Sequence, residues 1–125
     1  MQIVKVALAG FGAGGRIYNA PIIASVEGLS ISTIHTSSPE NIEAAKRDFP
    51  QARLVNSFTE ILNDPDIELV VIITPNHLHK ELAEKALKAG KHVVVEKPLT
   101  PSVEEAEALI KIAEEHNRIL SVNHN

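Results

Sequence analysis

The sequence predicts a doubly wound α/β domain, an open and mostly parallel sheet in the strand order 3-2-1-4-5-6 with helices on both faces. Three observations carry that expectation. Strand-like apolar runs alternate with helix-like segments along the whole 125 residues. The run Val6-Ala7-Leu8-Ala9 ends in Gly10-x-Gly12-x-x-Gly15 and leads into helix-compatible sequence. Two runs, Ile3 to Ala9 and Leu69 to Ile73, are almost continuously apolar, as strands covered on both faces must be, which places them side by side at the sheet centre. No linker, repeat or low-complexity segment divides the chain, and its length suits one domain with a real core.

Each element has a local reason. Ile3 to Ala9 is the first strand, and a helix is expected from about Gly14 to Val26 with Gly28 as its stop. Pro21 is awkward inside that helix and predicts a kink or break near Asn19. Leu29 to Ile34 alternates apolar with polar and reads as a second, less buried strand. Ser38-Pro39-Glu40 supplies an N-cap, a proline at the first helical position and an acid in the first turn, opening a helix to about Asp48. Arg53 to Val55 is a short strand suited to a sheet edge, and Ser57-x-x-Glu60 boxes the start of a brief helix carrying Phe58, Ile61 and Leu62. After the turn Asn63-Asp64-Pro65-Asp66 comes the fourth strand. A helix from about His77 to Ala89 is expected to bury Leu78, Leu82, Ala86 and Ala89, and Gly90 closes it. His92 to Val95 is the fifth strand. Ser102-x-x-Glu105 opens a last helix with an inner stripe of Val103, Ala106, Leu109, Ile110 and Ala113, and Ile119 to Val122 is the sixth strand.

Composition narrows the function classes. A hydrophobic content of 44% with 22% charged residues is that of an ordinary globular protein, and the formal charge of −4 without a Lys/Arg cluster argues against a nucleic-acid surface. The absence of cysteine excludes disulfides, thiolate nucleophiles and cysteine metal sites. The opening apolar stretch is short and interrupted by Lys5, which fits neither a signal peptide nor a membrane span. A cytoplasmic protein is expected, with no membrane partner.

Polar residues gather where such a fold binds its ligand. Gly10-Phe11-Gly12, Thr36-Ser37, Thr74-Pro75-Asn76, Glu96-Lys97-Pro98 and Asn123-His124-Asn125 each follow the C-terminal end of a strand, and those ends share one edge of the sheet. In the glycine turn, Gly10 permits the sharp bend, Gly12 keeps a side chain out of a phosphate's path and Gly15 lets the helix pack on the strand. The N–H groups and positive dipole end of the following helix would face the anion. Close strand–helix packing alone is the plainer reading of the same glycines. Thr36 lies about twenty residues on, where an NAD site usually carries an acid for the ribose hydroxyls. Here the tip reads His35-Thr36-Ser37-Ser38, and hydroxyls can bond a 2′-phosphate that a carboxylate would repel. That leans toward NADP over NAD. Asn76 suits a helix N-cap as well as a cofactor contact. His77 and His79 are two apart and diverge on a helix, so no metal is expected. Glu96-Lys97-Pro98 could be an ordinary charged loop. A lysine ending a central strand would also reach the crevice beside a nicotinamide and hydrogen-bond a substrate hydroxyl or carbonyl, with the glutamate orienting it.

With these residues assembled, the chain resembles the NAD(P)-binding Rossmann domain of the glucose–fructose oxidoreductase / inositol dehydrogenase (Gfo/Idh/MocA) family. The resemblance covers essentially the whole chain and is carried by Gly10-Phe11-Gly12-Ala13-Gly14-Gly15, Thr74-Pro75-Asn76-x-x-His79 and Ala89-Gly90-Lys91-His92-Val93-Val94-Val95-Glu96-Lys97-Pro98-Leu99. It implies a dehydrogenase acting on sugars, polyols or related hydroxy and keto compounds. It further implies that Gly10, Phe11, Gly12, Ala13, Gly14, Gly15 and Arg16 surround the pyrophosphate, and that Thr36 and Ser37 hold the adenosine ribose. Thr74, Pro75, Asn76 and His79 would line the middle and nicotinamide side, with Glu96, Lys97, Pro98 and Asn125 at the nicotinamide and Lys97 as the catalytic residue. Family chains continue into a C-terminal substrate domain that also supplies the proton-transferring group and most of an oligomer interface. This chain is therefore expected to be a single domain that binds dinucleotide without turning substrate over. Asn19 stands where a related subgroup carries histidine. A non-catalytic dinucleotide-sensing module is the alternative, against which Lys97 speaks. A methyltransferase would want an acid at Thr36, and the phosphate-loop pattern of nucleotide hydrolases is absent.

Overall fold

The computed structural model describes residues 2–12, 19–96 and 102–123. Six strands form one sheet, β1 (Val4–Ala9), β2 (Leu29–His35), β3 (Arg53–Val55), β4 (Leu69–Ile72), β5 (His92–Glu96) and β6 (Leu120–Asn123), in the order β3-β2-β1-β4-β5-β6. Every neighbouring pair is parallel, so the expected order holds and the sheet is wholly rather than mostly parallel. The helices are α1 (Ala20–Ser25), α2 (Pro39–Asp48), α3 (Phe58–Leu62), α4 (His79–Lys88) and α5 (Val103–Glu115).

The alternation of β1 builds two cores. Val6 and Leu8 face a cluster with Ala20, Ile23, Ala44 and Ala45 of α1 and α2. Ala7 and Ala9 face the other cluster, with Ile61, Ala83, Leu87, Leu109 and Ala113 of α3, α4 and α5. The crossover from β3 to β4 carries the chain from one face to the other, so strand order reverses between β1 and β4. A crevice opens at that point.

Several expectations change in detail. Of the expected helix at 14–26, α1 begins at Ala20, directly after Asn19, whose backbone is helical (φ −88°, ψ −51°), and Pro21 falls in its first turn, so the regular helix breaks at Asn19 as expected; residues 13–18 lie outside the described residues. The pairing of β1 with β2 slips between Val6 and Ala7, opposite Ile31 and Thr33. That bulge reverses the parity of β2, so Leu29, Ile31 and Ile34 all pack on the same cluster, which simple alternation forbids. The helix expected from His77 starts as a 3-10 turn at Asn76–Leu78, and α4 has Leu78 at its N-cap position in place of Asn76. Its inner face is His79, Ala83, Ala86 and Leu87, one step round from the expected stripe: Leu82 sits at the border and Ala89 is exposed. Small side chains let α4 lie close to the sheet, and that closeness outweighs the larger apolar area of Leu82. In α5, likewise, Leu109 and Ala113 are buried while Val103 and Ile110 are 69% and 48% exposed.

The caps behave largely as expected. The Glu60 carboxylate accepts from the N–H groups of Asn56 (2.9 Å) and Ser57 (3.3 Å), and the Ser102 hydroxyl accepts from Glu105 N–H (3.2 Å). Ser38 occupies the N-cap position of α2 with extended backbone but makes no capping bond with its side chain. Among the described residues, no helix is long and apolar enough to cross a membrane.

Candidate functional site

The crevice at the strand reversal is a cleft of about 440 Å³ built from three strand ends. Gly10, Phe11 and Gly12 come from β1, His35, Thr36, Ser37, Ser38 and Asn41 from the end of β2 and the first turn of α2, and Ile73, Thr74, Pro75 and Leu78 from the end of β4. Its lining combines the hydroxyls of Thr36, Ser37 and Ser38 with apolar Ile73, Pro75 and Leu78, a combination that suits a flat heteroaromatic group joined to an anionic bridge. No carboxylate lines it among the described residues.

The two described glycines of the turn do different work. Gly10 has φ +110°, and a Cβ there would stand 2.9 Å from the carbonyl oxygen of Ile73. Its N–H is already donated to His35 O at 2.8 Å, while Ile73 N–H donates to Ala9 O at 2.9 Å. Gly10 thus lets β1, β2 and β4 converge and has no donor left for an anion. Gly12 is the reverse case. Its φ is not positive, and an added Cβ would meet nothing within 4 Å. Among the described residues nothing requires glycine there, and a bare backbone is what a close-lying anion would need.

Phe11 lines the cleft, yet its ring is buried edge-on against Phe49, 6.0 Å between centroids at 88°. What it can offer a ligand is main chain. His79 is 1% exposed and stands behind the cleft wall. Its Nε2 lies 2.9 Å from the carbonyl oxygen of Thr74, which can only accept, so that nitrogen carries the proton and fixes the Thr74-Pro75 turn. With its carbonyl held, Thr74 keeps a buried hydroxyl that has no hydrogen-bond partner among the described residues. Open backbone at Gly12, an unpaired Thr74 Oγ1 and the acid-free hydroxyl cluster at residues 36–38 together fit a dinucleotide.

The structure brings together Gly10, Phe11, Gly12, Thr36, Ser37, Thr74 and Pro75. Glu96 is not in the cleft lining; it ends β5 on the neighbouring strand, where its Oε1 accepts from Asn19 Nδ2 at 2.6 Å. Ala13, Gly14, Gly15, Arg16, Lys97, Pro98 and Asn125 lie outside the described residues, as does the side chain of Asn76. His77 is exposed and His79 buried, so the two do diverge, and among the described residues no group of three or more His, Cys, Asp or Glu is disposed to hold a metal ion. Sequence reasoning overlooked Asn41, Ile73 and Leu78 as cleft residues. Asn41 follows Ser38 by one helical turn, a spacing that could have revealed it. Asn19 had no local signal of its own.

Residues 4–124 match the family model of the Gfo/Idh/MocA oxidoreductases, described as an oxidoreductase family with an NAD-binding Rossmann fold. The chain is 44% identical over 125 residues to the scyllo-inositol 2-dehydrogenase (NADP(+)) IolW of Bacillus subtilis, covering 100% of this chain and 34% of that protein. It is 34% identical over 132 residues to levoglucosan dehydrogenase of Pseudarthrobacter phenanthrenivorans, again covering 100% of this chain and 34% of the relative. Among solved structures, biliverdin reductase of Synechocystis in complex with biliverdin and NADP+ superposes with a TM-score of 0.89 at 33% identity, over 97% of this chain and 38% of that one. The chain spans about a third of the length of these relatives.

Proposed function

The chain belongs to the Gfo/Idh/MocA oxidoreductase family as its NAD-binding Rossmann domain, and from that premise we propose that it is the cofactor-holding half of a dehydrogenase for a sugar, polyol or related hydroxy or keto compound. The observation that carries this reading is the cleft at the β1/β4 reversal. Among the described residues it is bare at Gly12, has a hydroxyl without a partner at Thr74 and carries no acid. The dinucleotide, when bound, supplies the hydride donor or acceptor. The chain's own residues hold and orient it. Gly12 leaves room for the pyrophosphate, and the Thr74 hydroxyl gives its hydrogen bond to the bound molecule. Ser37, Ser38 and Thr36 receive the adenosine ribose, and their neutral hydroxyls favour a 2′-phosphate and hence NADP; IolW is named for that cofactor.

Lys97 directly follows the last residue of β5 and is assigned to the substrate, donating a hydrogen bond to the reacting oxygen, with Glu96 orienting it. The role assigned to this Rossmann domain is to hold the dinucleotide; no residue of it is assigned the proton transfer or the choice of substrate. Titration of the chain with NADH and NADPH, followed by nicotinamide fluorescence, tests the reading. Saturable binding with NADPH tighter is expected. Failure of both to bind at millimolar concentration refutes the function, and tighter NADH refutes the hydroxyl argument alone.

A further inference from the structure

The hydrogen bond between Asn19 and Glu96 joins two parts of the domain that are 77 residues apart in the chain. Asn19 is 6% exposed and occupies the N-cap position of α1, the helix entered from the glycine turn of β1. It makes no side-chain capping bond there. Its amide instead reaches across to the carboxylate that ends β5, at 2.6 Å, a short, charge-assisted contact. The Asn19 backbone is helical there (φ −88°, ψ −51°), not in the extended conformation a capping side chain needs, and the amide is directed to another strand. On one side of that bond lies the start of α1, which in the sequence follows the turn proposed to receive the pyrophosphate. On the other lies the residue immediately before Lys97.

We propose that Asn19 is a positioning residue that holds the Glu96 carboxylate, and with it the end of β5, against the start of α1. The inference rests on the proposed dinucleotide site and goes beyond it. A hydrogen bond to a charged partner is directional, so it fixes the orientation of the carboxylate as well as its distance. Both residues make other interactions as well, and the bond between them ties β5 to α1. Without it, the carboxylate loses its directed donor on α1, and the nicotinamide end loses its register while the adenosine end does not.

The test compares two ligands on the 125-residue chain: the dinucleotide it binds more tightly, NADH or NADPH, and the same molecule lacking its nicotinamide. Asn19→Leu, close in size and unable to donate, is expected to weaken the whole dinucleotide about tenfold, the scale of a hydrogen bond to a charged group, while leaving the nicotinamide-free fragment unchanged. Asn19→Asp sets two carboxylates against each other and should show the same selective loss. Asn19→Asp combined with Glu96→Gln exchanges donor and acceptor, and should return the ratio of the two affinities to that of Glu96→Gln alone. The exchange pair keeps the test decisive if Asn19→Leu does not fold. Equal weakening of both ligands, no weakening of either, or no recovery in the exchange pair makes Asn19 a structural staple and overturns the inference, with the proposed function intact. A wild-type chain that binds neither ligand overturns both.

Discussion

Gly10 and Gly12 belong to one short motif, and the structure predicts opposite consequences for the same substitution at each. At Gly10 an alanine must adopt φ +110° and place its Cβ 2.9 Å from Ile73 O and 3.0 Å from Ile73 C, both backbone atoms of a central strand end that cannot swing aside. A non-glycine residue in that region costs about 1–3 kcal/mol, and a backbone overlap of this size costs a similar ~1–3 kcal/mol. Gly10→Ala should therefore lose about 3 kcal/mol of folding stability, which for a domain of this size is a fall in Tm of roughly 10 °C. At Gly12 the Cβ meets nothing within 4 Å and φ is not positive, so Gly12→Ala should stay within about 0.5 kcal/mol of wild type. Its methyl group would project into the cleft and weaken dinucleotide binding at least about tenfold, the scale of a small overpacking. Denaturant melts of both variants, with fluorescence titration of Gly12→Ala, separate the two effects. Equal destabilisation by both substitutions, or wild-type affinity in Gly12→Ala, would refute the division of labour.

Thr74→Val removes an unpaired buried hydroxyl at constant shape. Stability should hold or rise by up to about 1 kcal/mol while dinucleotide affinity falls about fivefold, read by the same melts and titrations. Thr36→Asp places a carboxylate where the hydroxyl cluster lines the cleft, and should shift the ratio of NADPH to NADH affinity toward NADH by at least about tenfold. Lys91 is buried with its ammonium donating to Asp64 O at 2.5 Å, and burial holds its pKa below the ordinary 10.5 against the opposing pull of Asp64 and Asp66. In the window between that lowered value and 10.5 the unfolded chain binds more protons than the folded one, so stability due to this residue rises with pH. Lys91→Met should flatten that rise in denaturant midpoints measured from neutral pH up to 10.5, and an unchanged slope would exclude Lys91 as its source.

What could be read from the chain was what local sequence controls. Strand order followed from two almost wholly apolar runs and a glycine turn, because burial on both faces and a bare backbone elbow leave marks at the residues concerned. Parity and helix rotation were less legible. The bulge opposite Val6 and Ala7 reverses which β2 side chains face α2, and it is decided by the fit of two strands, not by either sequence alone. On α4, the stripe chosen for its leucines lies one step from the face that packs, because Ala83, Ala86 and His79 allow a closer approach to the sheet. The Asn19–Glu96 bond left no local trace at all.

The same contrast bears on how the motif residues divide between building the cleft and facing it. A residue type recurs in a binding turn either because the ligand needs it or because the backbone that meets the ligand cannot be built without it, and the letter is identical in both cases. Gly10 is required by Ile73, Phe11 by Phe49 and His79 by the carbonyl of Thr74, so these three shape the wall. Gly12 and the tip at Thr36-Ser37-Ser38 line the cleft, and with them Thr74, whose hydroxyl is buried without a partner among the described residues. The discriminating observation is what each group already touches within the protein. We assign to a ligand the groups for which the described residues give no such reason, and in this cleft they come from the ends of β1, β2 and β4, across the strand reversal.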